Sequence, residues 1–304
     1  MVTIKNLTKS YGSFKVLNGL NMNVGDGDVY GFLGKNGCGK STTMNILCNI
    51  IPKDGGDIIL GNNPDEKIRI GYLPETPALY GYMNGYEYLR YLAACSNYQG
   101  DVEARVRQVL DIVGMTEGGK RRIGGYSRGM NQRLGIGAAI FHDPHLLVLD
   151  EPTSALDPEG RAEVMAIIRQ LTEMGCTIIL CTHILSDVAR VANKIGIICN
   201  GQIALEGNIS TILQNYSRKE IELTVFEPNE ANVAKIKSLE GQGAVKKVDF
   251  YEKTGVFVVR SEDCQAASLQ LSTLLAKEGI AVSRQEMVSE SLEQIYLKVV
   301  NGNA

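Results

Sequence analysis

The chain has 304 residues, 44% hydrophobic and 21% charged. That length accommodates one large or two ordinary domains, each with its own core, and the composition excludes disordered and fibrous classes. A formal net charge of −3 gives no overall attraction to nucleic acid or an anionic membrane surface.

No uninterrupted apolar run approaches the roughly 18 residues that cross a bilayer, and "LGIGAAIF", one of the longest, stops after eight. The N-terminus, "MVTIKNLTKSYG", lacks the basic opening and apolar stretch of a secretory signal. A cytoplasmic chain is expected, reaching a membrane only through a partner. Seven scattered cysteines with no C-x-x-C pair argue for reduced, mostly buried thiols over a disulfide framework or zinc site.

Residues 1–216 alternate short apolar runs with helical periods, which predicts an α/β domain with a mainly parallel sheet. "DVYGFLG" reads as a strand, Lys40 to Ile51 as a helix stopped by Pro52, and "GGDIILG" as a turn and strand. Between that first strand and helix stands "GKNGCGKS", Gly34 to Ser41, which fits G-x-x-x-x-G-K-[ST]. Its glycines permit positive φ and close backbone approach, so that successive N–H groups of Gly34, Lys35, Asn36, Gly37, Cys38 and Gly39 can cradle a triphosphate. Lys40 reaches the β- and γ-phosphates and the Ser41 hydroxyl ligates Mg²⁺. Cys38 has no base beside it in sequence and reads as a small loop residue, not a nucleophile.

Residues 76 to about 133 interrupt the alternation with a helical insert carrying tyrosines at 80, 82, 86, 88, 91 and 98. Those rings either fill the insert's core or present a partner surface. At the end of the insert, "YSRGMNQRLG" places Ser127 as an N-cap on a helix whose free N–H groups form a second anion site. "HLLVLDEP" then reads as a buried parallel strand delivering Asp150 and Glu151 to its carboxyl end, where ligands of open α/β sheets bind. Asp150 suits the Mg²⁺ shell and Glu151 a base for the attacking water. "CTIILCTH" repeats that geometry and delivers His183 to the same edge, as a γ-phosphate contact.

The composition shifts after Tyr216. Strands, a helix, a hairpin, a second helix and "GIAVSRQEM" predict a small α+β accessory domain, residues 217–304, in βαββαβ order. It holds 11 Lys/Arg and 13 Asp/Glu, which is not a nucleic-acid arm. "SLEQIYLKVV" puts Leu292, Ile295, Tyr296, Val299 and Val300 on one helical face, expected to pack on its own domain or a second copy.

Together the motifs of residues 1–216 resemble the ATP-binding-cassette ATPases. The resemblance implies that Tyr11, 23 residues before Gly34, stacks on adenine with Val16 packed beside it. It carries the phosphate loop through Thr42, identifies Ser127 and Gly129 with the family signature, and makes Asp157 of "SALD" a contact to the opposite subunit. Two departures stand out: the signature reads Tyr126-Ser127-Arg128-Gly129-Met130 where the family usually has Leu-Ser-Gly-Gly-Gln, and Glu75 of "GYLPETP" replaces a common glutamine. The Glu75 carboxylate is expected to meet Mg²⁺ or the lytic water, and Arg128 to be solvated.

The variants and tail look like the branch that pairs with separately encoded export permeases. This resemblance implies an ATPase subunit, using ATP and Mg²⁺, dimeric around two nucleotides, and peripheral on the cytoplasmic face of the membrane through its permease. A soluble cassette ATPase of translation or DNA repair is the alternative, opposed by the single cassette and the acidic balance of the tail.

Overall fold

In the computed structural model, which describes residues 1–61 and 67–302, β1 (Val2–Tyr11) turns at Gly12 into β2 (Phe14–Val24). Then come β3 (Val29–Leu33), α1 (Lys40–Leu47), β4 (Gly55–Leu60) and β5 (Ile70–Leu73). The insert holds α2 (Gly85–Cys95), α3 (Val102–Ile112), two 3₁₀ turns, and α4 (Arg128–Ile140), which runs beyond residue 133. The first α/β region closes with β6 (Leu146–Asp150), α5 (Pro158–Glu173), β7 (Thr177–Thr182), α6 (Leu185–Val191), β8 (Lys194–Cys199) and β9 (Gln202–Asn208).

A six-stranded sheet has the order β5-β6-β7-β3-β8-β9 and is parallel except for β9. Every residue of β3, β6 and β7 is buried, the signature of strands covered on both faces. Each fully buried Leu or Ile there contributes roughly 1.5–3 kcal/mol, enough to hold polar groups at the strand ends in place. A separate antiparallel sheet, β2-β1-β4, packs apolar residues such as Leu7, Leu17 and Leu20 into the same core as Phe32 and Met44.

Helix α1 stops at Leu47, four residues before the expected Ile51. Asn49 adopts φ 57° and the Ile50 N–H returns to the Asn45 carbonyl, a left-handed C-terminal stop that precedes Pro52. Asparagine is one of the few residues other than glycine that enters this region readily.

The accessory region follows as α7 (Ile209–Asn215), β10 (Ser217–Val225), α8 (Glu230–Lys237), β11 (Lys247–Tyr251), β12 (Val256–Arg260), α9 (Cys264–Lys277), β13 (Val282–Ser289) and α10 (Leu292–Val300). From β10 to β13 the order is βαββαβ, in one antiparallel sheet β11-β12-β10-β13. Its core is its own, built on Ile221, Leu223, Phe257, Leu271 and Leu275.

The compact units differ from the expected 1–216 and 217–304. One comprises Met1–Ile209 with Tyr296–Ala304, the other Ser210–Ile295. The first half of α10, with buried Leu292 and Ile295, therefore lies with its own accessory unit, and the second half, from Tyr296, belongs with the first unit.

Candidate active site

Adjacency in the sheet makes the site. β7 lies between β6 and β3, with Leu33 beside Thr182 and Asp150 beside Cys181, so three consecutive strands release the 34–41 loop, the Asp150–Glu151 pair and His183 at one edge. In the loop, Gly37 has φ 80° and Gly39 φ 111°, which side chains rarely adopt. A Cβ on Gly34 would lie 2.5 Å from Cys38 Sγ and 2.9 Å from the Ile198 carbonyl oxygen. Helix α1 begins without a side-chain cap or an acidic residue in its first turn, leaving its N–H groups and dipole for an anion.

Lys40 is buried, its Nζ donating to the carbonyls of Gly34 at 2.8 Å and Lys35 at 3.3 Å, and lying 3.8 Å from Glu151 Oε1. Glu151 is 6% exposed and has φ 49°, a strained conformation for a non-glycine residue of the kind found at functional sites. Its backbone N–H donates to the Cys181 carbonyl at 2.8 Å. Thr182 Oγ1 donates to Oε2 at 3.2 Å, and His183 Nδ1 lies 3.0 Å from Oε1. The His183 side chain is 46% exposed, so one residue joins the buried carboxylate to the open cavity.

Asp150, 2% exposed, receives a hydrogen bond from Ser41, while its Oδ1 is buried without a partner. Burial pushes its carboxyl above the ordinary aspartate range; Ser41 opposes that, Glu151 adds to it, Lys40 opposes it, and Glu75 adds to it. A bare buried oxygen beside a hydroxyl fits a hard divalent cation. Among the described residues there is no group of three or more His, Cys, Asp or Glu side chains that could hold a metal. Mg²⁺ does not need one, because it keeps waters and takes phosphate oxygens.

A cavity of about 510 Å³ gathers Asn36, Lys40, Thr42, Glu75, Glu151 and His183, and Val16, Gly37, Gly39 and Ser41 also line it. Lys35 and Cys38 instead line a neighbouring space of about 430 Å³, together with Phe14, Val16, Cys199 and Val300. Burial raises the Cys38 thiol and lifts Cys48 to about 12, which keeps both protonated and unreactive. Tyr11 is 53% exposed, lies under the Lys9 ammonium, and lines neither space.

The signature residues lie elsewhere. Ser127 caps α4, its Oγ accepting from the Met130 N–H at 3.2 Å, and Asp157 caps α5, accepting from the Gly160 N–H at 3.0 Å. With Arg128 and Gly129 they line a separate concavity of about 310 Å³. Arg128 is exposed and also borders a fourth space of about 400 Å³ next to Glu75. Within one chain, then, the structure brings together the phosphate loop, both acids, Glu75 and His183, and leaves Ser127, Gly129 and Asp157 apart.

Sequence reasoning missed Thr182 and Ser154. Thr182 holds Glu151 and accepts from the Ile184 N–H; its place directly before His183 was the available signal. Ser154 lines the 510 Å³ cavity and opens "SALD", a motif in which only Asp157 was singled out. The insert's tyrosines divide: Tyr88 is buried, Tyr80, Tyr82 and Tyr91 are exposed, and Tyr80 stacks on Tyr82 with ring centroids 5.7 Å apart.

A family model described as "ABC transporter" matches residues 17–154. The chain is 35% identical to the bacitracin transport ATP-binding protein BcrA of Enterococcus faecalis over 99% of its own length and 97% of that protein. It is 31% identical to the linearmycin resistance ATP-binding protein LnrL of Bacillus subtilis over 98% of both. The dimeric post-hydrolysis structure of the cassette MJ0796 bound to ADP and Pi superposes with a TM-score of 0.62 at 25% identity, covering 69% of this chain and 99% of that one. Among the described residues no helix is long and apolar enough to cross a membrane. The chain belongs to the ABC transporter family, as an ATP-binding and ATP-hydrolysing subunit that uses Mg-ATP and works with a second ATPase subunit and a membrane permease.

Proposed function

We propose that this chain drives export of an antibiotic or a related compound from the cytoplasmic face of the membrane, through a separately encoded permease. The observation that carries the reading is end-to-end similarity: the bacitracin and linearmycin proteins match the accessory region as well as the cassette. Detergent co-purification from native membranes tests it, paired with susceptibility of a deletion strain to bacitracin, a lantibiotic and linearmycin. An integral membrane protein should co-purify, and sensitivity to at least one compound should rise. Recovery of ribosomes or DNA in its place would support the soluble alternative.

In the reaction, Glu151 takes the proton of the attacking water, held in position by Thr182 and His183. His183 contacts the γ-phosphate with its exposed side, and Lys40 leaves the loop carbonyls for the β- and γ-phosphate oxygens. Asn36, Gly37, Gly39 and Thr42 line the cavity where the triphosphate lies, while Lys35 and Cys38 hold the outer wall of the loop. Ser41 and Asp150 would hold Mg²⁺, with Glu75 lining the same cavity; the ion would supply charge neutralisation on the transferred group. Tyr11 and Val16 receive the adenine. Ser127, Gly129 and Asp157, remote from the cavity of their own chain, serve the nucleotide of the second subunit.

A further inference from the structure

The accessory sheet leaves one long edge open. β13 runs eight residues, pairs with β10 on one side, and ends the sheet order. The other edge, β11, is five residues long and laced with Lys247–Asp249 and Arg260–Asp249 ion pairs, which blunt strand addition. β13 carries no proline, and its unpaired backbone groups are a template for another strand.

The side chains of β13 sort by face. Gln285 turns to the helix side, donating to Ser268 Oγ at 2.7 Å and to the Ser268 carbonyl at 3.1 Å. Arg284 and Glu286, its neighbours, therefore stand on the opposite face, where they pair with each other. There Glu286 faces Glu222 of β10 directly, a like-charge pair that costs stability. On the helix side a groove of about 810 Å³ opens between α9 and β13, with Leu269 and Met287 on its walls exposed by 70% and 59%.

We propose that a second copy of this chain adds its own β13 antiparallel to this edge, about a two-fold axis through Gln285. That register sets Arg284 of each copy opposite Glu286 of the other, so that the Arg284–Glu286 pair each chain already makes beside Glu222 joins its counterpart in a network of four alternating charges across the edge. A two-fold centred on Glu286 would set Arg284 against Val288, and one centred on Arg284 would set Glu286 against Val282; both forfeit the complementarity. On the helix side the same register sets Met287 of each copy opposite Ser283 of the other. This interface needs no nucleotide and is distinct from pairing across the ATP sites.

Sedimentation of the full chain, free of nucleotide and with chelator, over a range of concentrations tests it. A monomer–dimer equilibrium is expected. Arg284→Glu should move its midpoint upward by about tenfold, and the exchanged double variant Arg284→Glu/Glu286→Arg should return it to within about threefold. ATP turnover should be unaffected by either. In the unmodified chain, amide exchange over 282–289 should slow as protein concentration rises, a readout that holds even where a variant fails to fold. A monomer at every concentration would overturn the proposal, as would a dimer indifferent to Arg284→Glu. So would concentration-independent exchange over 282–289, the result expected if the edge instead receives a peptide of another protein.

Discussion

Glu151 has two anchors and a strained backbone, and each has a separate consequence. Glu151→Gln preserves the shape and the Thr182 contact but removes the proton acceptor, so ATP turnover should fall by about 10²–10⁴-fold with nucleotide binding intact. Hydrolysis at the normal rate would remove Glu151 from the role of base. Asp150 sets a pH dependence. Its carboxyl must be ionised to hold a cation, and burial raises its pKa, so protons compete at a higher pH than for an ordinary aspartate. Apparent Mg²⁺ affinity should therefore drop as pH falls through that raised value, and Asp150→Asn should flatten the profile; metal titrations at several pH values measure both. Both acids were legible in the sequence because two carboxylates after four apolar residues have few structural explanations. The φ of Glu151 was not, since glutamate, unlike glycine or asparagine, gives no sign of a left-handed conformation.

At the level of elements, α5 and α6 are tied by one buried carboxylate. Asp187 on α6 accepts from Thr153 Oγ1 at 2.6 Å and from Arg161 of α5 at 2.6 Å and 2.9 Å, and is itself 1% exposed. This ties the helix that Asp157 caps to the helix just beyond His183. Asp187→Ala leaves Thr153 without its acceptor and the partly buried Arg161 with only Ser186 Oγ. It should cost about 2–4 kcal/mol in denaturant unfolding, and turnover should fall with it, because both helices carry site loops. A change in turnover with unaltered stability would place Asp187 in the chemistry instead. None of this network was visible in sequence: its members are 34 and 26 residues apart and belong to common residue types. The strand-to-helix rhythm of the cassette was legible because period and burial agree there. Of the β2-β1-β4 sheet only β4 was legible, as the strand in "GGDIILG"; β1 and β2 were not, since their pairing carries register shifts that break the alternation a half-buried strand normally shows.

For the whole molecule, the separation of Ser127 and Gly129 from the phosphate cavity makes a testable demand. A Lys40→Ala chain loses its own cradle but keeps its signature; a Ser127→Arg chain does the reverse. Each should be nearly inactive alone. Mixed, they should regain ATPase activity, because one composite site in the heterodimer is then complete. No recovery on mixing would mean that each chain serves its own nucleotide. The expectation that these residues serve the second subunit came from the family resemblance; the return of residues 296–302 to the first unit was not legible, because an apolar helical face says that a helix is covered and not by what.

That return changes what cutting the chain would do. Since Tyr296–Ala304 belongs to the unit that begins at Met1, the accessory unit is an insertion, entered and left through the same body, and not a pendant at the end of a linker. A protease nick near Ile209 would sever the backbone yet leave the downstream fragment held by the second half of α10. The two pieces should co-elute until that last helical turn is peeled away or trimmed.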